Sequence, residues 1–256
     1  MIFDTHAHYD DEAFDEDRED ILSSLKANNI SYVTNIGASM ASSRMSLDLA
    51  KKYNFIFAAI GVHPNEVEEL DEAKIEWLRE NASHSKVVAI GEIGLDYYWN
   101  EPSADIQKKW FERQLDLARE VKLPVVIHSR DAAKDTMDIM KYKKAQEIGG
   151  VIHCYSYHKE QAKEYLDMGF YFGIGGVVTF NNAKKLREVV EFLPMDRIVL
   201  ETDAPYLSPV PNRGKRNSSL NLPYVVKEIA GIKGISEKEV IDITRVNAKT
   251  LYRLGI

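Results

Sequence analysis

The feature that most restricts the fold of this chain is a rhythm. Short apolar runs recur along it, separated by segments of helical periodicity. The runs begin with Ile2-Phe3 and continue at 30–36, 55–60, 87–90, 124–127, 150–152, 170–174 and 198–200. The spacing predicts helices over 14–27, 39–53, 70–81, 106–121, 132–142, 159–168 and 183–192. Strands that are apolar on both faces and alternate with helices form a parallel sheet covered by helices. Eight such strands within 256 residues is the count of a TIM (β/α)8 barrel. A doubly wound sheet would want a glycine-rich phosphate turn after an early strand, and neither the G-x-G-x-x-G nor the G-x-x-x-x-G-K-[ST] pattern occurs. The expected architecture is therefore α/β, a TIM barrel, with residues 1–256 forming a single domain.

Composition narrows the function classes. The formal net charge of −7 argues against a protein that coats duplex DNA over many phosphates, which usually needs a basic stripe. It leaves room for a small site that reaches one phosphodiester, because bound cations reverse the local sign. No run approaches the ~18 apolar residues of a membrane span. The N-terminus lacks the basic and apolar regions of a secretory signal. Cys154 is the only cysteine, so no internal disulfide can form. A cytoplasmic protein without a membrane or an obligate protein partner is the expectation.

The ends of the apolar runs carry the chemistry. His6 and His8, two apart on a strand, share one face, so both imidazoles can converge on a point. Glu92, His128, His153 and Asp203 also sit at or just past the C-terminal end of a run. In a (β/α)8 barrel that end builds the active site. Four imidazoles and two carboxylates exceed what one four-coordinate ion requires. The expectation is a centre of two divalent ions, Mg²⁺, Mn²⁺ or Zn²⁺, bridged by Glu92. His6, His8 and Asp203 would serve one ion, His128 and His153 the other. Two cations ~3.5–4 Å apart can hold a hydroxide and clamp both oxygens of a displacement at phosphorus.

These residues also carry a resemblance. Asp4-Thr5-His6-Ala7-His8, Gly61-Val62-His63-Pro64, Gly91-Glu92-Ile93-Gly94-Leu95-Asp96-Tyr97, His128-Ser129-Arg130, His153-Cys154-Tyr155-Ser156 and Glu201-Thr202-Asp203-Ala204-Pro205-Tyr206-Leu207 follow one another in the order seen in the TatD family of metal-dependent deoxyribonucleases. The chain resembles that family from residue 2 to its C-terminus. The resemblance implies a TIM-barrel metallohydrolase with His6, His8, Glu92, His128, His153 and Asp203 as ligands. One stretch departs from the family pattern. After Arg213-Gly214-Lys215-Arg216-Asn217 the better-known members tend to continue Glu-Pro, whereas this chain reads Ser218-Ser219-Leu220.

Other residues near the strand ends have assignable roles. Asp203 is the candidate general base. Glu201, two before it, either orients a ligand imidazole, takes a proton, or pairs with a basic residue inside the barrel. His63 can hydrogen-bond substrate or shape the His-Pro turn. Asp96 reads as a turn former in a glycine-rich loop. Arg130, Arg213, Lys215 and Arg216 form the one local basic concentration and are candidates to hold phosphate. Tyr97, Tyr98 and Trp99 either offer a base something to stack on or serve as lid or core packing. Cys154, next to His153, reads as buried and inert. The function expected is hydrolysis of DNA phosphodiester bonds at single-stranded or frayed ends. The alternative is hydrolysis of an amide, lactone or aminoacyl ester by the same centre, since fold does not fix function.

Overall fold

The computed structural model describes residues 1–99 and 101–255. Its strands are β1 (Ile2–Ala7), β2 (Ile30–Ile36), β3 (Ile56–Ile60), β4 (Val87–Asp96), β5 (Val125–Arg130), β6 (Gly150–Ile152), β7 (Tyr171–Ile174) and β8 (Ile198–Leu200). They form one parallel eight-stranded sheet in chain order, the topology of a TIM barrel. The helices are α1 (Arg18–Ser24), α2 (Met40–Lys52), α3 (Glu72–Asn81), α4 (Ala104–Val121), α5 (Ala133–Tyr142), α6 (Lys159–Asp167), α7 (Lys184–Phe192), α8 (Leu222–Lys233) and α9 (Glu237–Leu251). Contacts divide the chain into two compact units. One comprises Met1–Asn35, Cys154–Asp167 and Tyr171 onward; the other comprises Ile36–His153 and Met168–Phe170.

In the first unit, β1 pairs in parallel with β2 and β7 with β8. β8 returns to β1. Thr5 Oγ1 donates to the Leu200 carbonyl at 2.9 Å, and the Asp203 N–H donates to the His6 carbonyl at 2.9 Å. Ile2, Phe3, Ile198, Val199 and Leu200 are buried, as a strand apolar on both faces requires. α9 closes this unit over β1, with the Tyr252 hydroxyl donating to the Thr5 carbonyl at 2.7 Å. A capping box, Ser236 with Glu239, starts α9.

In the second unit β3, β4, β5 and β6 pair in sequence. Two buried glutamines of α4 pin the strand ends. Gln114 bonds the N–H and carbonyl of Val62 at 2.9 and 3.0 Å. Gln107 does the same at Asp96, both at 2.8 Å. An amide side chain has both a donor and an acceptor, so each glutamine satisfies a residue the sheet leaves open. β4 and β5 approach closely at Gly94, which faces His128 in register. A Cβ there would stand 1.9 Å from the His128 carbonyl oxygen, and φ is +146°. Only glycine fits.

Three differences from the sequence expectation are physical. β4 runs to Asp96 instead of ending at Ile90, because Gly91 and Gly94 serve close packing and not a turn. β5 likewise extends through Arg130 and includes His128. The helix expected over 14–27 is confined to Arg18–Ser24, with 3-10 turns at Glu12–Phe14 and Lys26–Asn28.

Candidate metal centre

In the first unit the end of β1 and the segment after β8 bring three side chains together. His6 Nε2 lies 3.1 Å from His8 Nε2. Asp203 Oδ1 lies 3.6 Å from the first and 3.4 Å from the second. His6 is 1% exposed at its side chain and Asp203 17%. Donor atoms about 2.0–2.2 Å from one ion stand roughly 3–3.6 Å from each other. The triangle therefore has the edge lengths of ligands on one cation. It also has the right chemistry, because imidazole nitrogens and a carboxylate oxygen are ligands that Zn²⁺ and Mn²⁺ accept.

The backbone aims these groups. Asp203 adopts a left-handed conformation, φ +57°, which turns its carboxylate toward the two histidines. Asp4, fully buried one strand-repeat before His6, holds both sides of the arrangement. It accepts from the His6 N–H at 3.3 Å, the Thr202 N–H at 3.1 Å and the Thr202 hydroxyl at 2.8 Å. The Ser219 hydroxyl adds a fourth bond at 2.6 Å, and Ser219 also bonds Tyr9 through hydroxyl and N–H, both at 2.9 Å. Burial pushes the Asp4 carboxyl up to about 7 against these donors. The stretch that departs from the family pattern, Ser218-Ser219, is thus a brace on the acid beneath the histidines. Glu201 acts on the backbone: Oε1 accepts the Cys154 N–H at 2.6 Å. Its carboxylate occupies the space a Cβ on Gly173 would fill. Cys154 is half-buried at φ +43°, in a turn beyond β6, which corrects the expectation of a buried residue on a continuing strand.

In the second unit His63, Glu92 and His128 bring one ligand atom each to within 4.8 Å of one another. Glu92 Oε1 lies 2.8 Å from His128 Nδ1 and 3.7 Å from His153 Nε2. Glu92 is nearly fully buried, and its carboxylate is the hub of His63, His128 and His153. His128 Nε2 meets Asp96 Oδ2 at 3.0 Å. Burial opposes a charged His128, but the hydrogen bonds to Asp96 and Glu92 raise its pKa above the ordinary histidine value. Burial also opposes a charged Asp96, and the bond to His128 outweighs it, holding that carboxyl below its usual range. A carboxylate on the far nitrogen of a ligand imidazole is the usual way to fix ring orientation.

Asp96 is the residue that sequence reasoning passed over as a turn former. It lies on β4, four after Glu92, and even spacing on a strand puts both on one face. His63 packs edge-on against His128, ring centres 4.3 Å apart. Its Nδ1 accepts the Asn65 N–H at 3.2 Å, which holds the ring in the turn before Asn65.

The basic residues part company. Arg130 is exposed and lies over the Tyr98 ring, 3.7 Å from its centre. Arg213 stacks on Phe180 at 4.3 Å, and Lys215 is exposed. Arg216, expected to hold phosphate, is committed elsewhere: it forms a bidentate pair with Asp17 at 2.8 and 2.5 Å and lies over Phe14. No helix among the described residues is long and apolar enough to cross a membrane.

Comparisons with known proteins identify the family and the fold. Residues 3–253 match the family model described as TatD related DNase. The chain is 43% identical over 255 residues to a metal-dependent hydrolase of Bacillus subtilis (strain 168), YabD, covering all of both chains. It is 35% identical over 248 residues to a protein of Rahnella sp. (strain Y9602) named 3'-5' ssDNA/RNA exonuclease TatD, covering 94% of each. Among solved structures, that of YjjV, a TatD homologue of Escherichia coli K12, superposes with a TM-score of 0.93 at 29% identity, covering 99% of this chain and 98% of that one.

Proposed function

Because the chain belongs to the TatD-related DNase family of metal-dependent hydrolases, we propose that it is a divalent-metal-dependent nuclease that removes nucleotides from single-stranded or frayed DNA ends. The observation that carries the reading is on β5. His128, a candidate ligand, and Arg130, an exposed cation, lie two residues apart on one strand. An anion-binding group beside a metal site suits a phosphodiester better than a neutral amide. The relative named as an exonuclease of single-stranded nucleic acid supports the same substrate class.

His6, His8 and Asp203 would hold one ion, and Glu92 with His128 and His153 the other. Divalent ions there supply a Lewis acid for the phosphoryl oxygens and a more acidic water. The remaining work falls to the chain. Asp203, partly open to solvent, accepts the proton of the attacking water. His63, packed against His128, contacts the substrate. Arg130 holds a flanking phosphate. Asp96 and Asp4 position His128 and His6, and Glu201 holds the turn at Cys154.

The test is a substrate panel given to metal-depleted protein with Mn²⁺, Mg²⁺ or Zn²⁺ restored. An end-labelled single strand should shorten stepwise, a blunt duplex more slowly, and Asp203→Asn should reduce the rate by about 10²–10⁴-fold. Hydrolysis of a carboxylic ester or aminoacyl ester with the DNA left intact would replace this reading with the amidohydrolase one.

A further inference from the structure

Tyr98 and Trp99, just after β4, are 54% and 63% exposed. Exposure alone says little, because isolated apolar residues are common on protein surfaces. Their setting says more. The two rings meet edge to face at 5.0 Å and 88°, so the indole plane stands perpendicular to the phenol. Arg130 covers the Tyr98 ring, and among the described residues no carboxylate pairs with its guanidinium. That leaves its N–H groups for a ligand, and Trp99 exposed against the same Tyr98.

The pair is tied to the candidate metal ligands through short bonds. The Tyr98 N–H donates to Asp96 Oδ1 at 2.9 Å, and Oδ2 of the same carboxylate meets His128. The Tyr97 N–H donates to the Arg130 carbonyl at 2.9 Å, and the Tyr97 hydroxyl donates to Asp135 at 2.8 Å. Asp96 and Arg130 face each other across the β4–β5 register. A cation and an aromatic plane that both contact Tyr98, whose N–H is bonded to the Asp96 that meets His128, match the two parts of one nucleotide, phosphate and base.

We propose that Trp99, Tyr98 and Arg130 form a subsite for one unpaired nucleotide, with Trp99 stacking the base and Arg130, flattened on Tyr98, holding its phosphate. The subsite extends the nuclease reading and gives it a substrate class: strands with an unstacked base, and no sequence preference, because every base offers a π face. A paired base cannot reach the indole, so duplex is taken only where it frays.

The test uses binding as well as rate. Trp110 is buried and Trp77 lies under Arg44, which leaves Trp99 as the tryptophan open to a base among the described residues. With chelator present, oligothymidine should quench tryptophan emission, and an abasic strand of equal length should not. Trp99→Ala should weaken oligothymidine binding by about 5- to 100-fold, Trp99→Phe should retain most of the affinity, and Arg130→Ala should weaken both strands alike. With metal restored, Trp99→Ala should lower the ratio of kcat/KM on oligothymidine to that on bis(p-nitrophenyl) phosphate. Equal affinity for abasic and thymidine strands, or an unchanged ratio in Trp99→Ala, overturns the subsite while leaving nuclease activity standing. Base-dependent binding through Trp99 without cleavage of any strand sinks the nuclease reading and leaves the subsite.

Discussion

His128 has a carboxylate at each ring nitrogen, Glu92 on one side and Asp96 on the other. One partner can share a metal ion with the ring; the other can only orient it. Asp96→Ala should therefore weaken divalent-metal binding by about 10–100-fold, read by calorimetric titration of the metal-depleted protein. Unchanged affinity would return Asp96 to a loop role. Asp4 gives a different readout. Its carboxyl is raised to about 7 in the folded chain and titrates near 3.8 when unfolded. Between those values the native state keeps a proton that the unfolded state has lost, so this group's contribution to stability falls as pH rises through that window. In chelator, the urea midpoint of Asp4→Asn should vary less from pH 4 to 7 than that of the parent protein. An equal slope would mean that Asp4 stays charged in the fold.

Among the elements, β4 shows where sequence reading stops short. Glycines at 91 and 94 look like punctuation in one dimension, yet Gly94 exists because β5 passes within a Cβ radius. Packing between strands distant in sequence has no local signature. The candidate ligands stand out in the sequence for the opposite reason: His6, Glu92 and His128 each follow an apolar run, and barrel topology turns that position into a place. Asp96 could have been read from its even spacing to Glu92 once the strand was extended. α8 and α9 lay beyond the alternation that defined the repeat, although the Ser236–Glu239 capping box marks the start of α9. α9 packs on β1 through Tyr252 and Thr5. Ser236→Ala should cost about 1 kcal/mol in urea unfolding. Gly94→Ala should cost more, about 2–4 kcal/mol, since it must displace backbone at a non-permissive φ. A Gly94→Ala variant of parental stability would contradict the close-approach account.

For the whole molecule, we propose that residues 1–256 unfold as one domain, as a continuous eight-stranded sheet favours. In chelator, circular dichroism and tryptophan fluorescence should then lose their signals at one urea concentration; two separated midpoints would mean two domains. Under the proposed nuclease reading, a chain of net charge −7 with Arg130 exposed meets few phosphates of a strand end. Such contact with few phosphates should give a shallow dependence of KM on salt. The most direct measurement is hydrolysis of an end-labelled single strand by metal-depleted, repurified protein as Mn²⁺ or Mg²⁺ is restored. His6→Ala and Glu92→Ala, which remove one ligand from each cluster, are measured alongside. The expected result is cleavage that returns only with the ion and only in the parent protein, with each variant slower by about a thousandfold or more. Cleavage that persists in both variants, or in the parent protein without a divalent ion, would contradict the proposal that each cluster binds a catalytic metal ion.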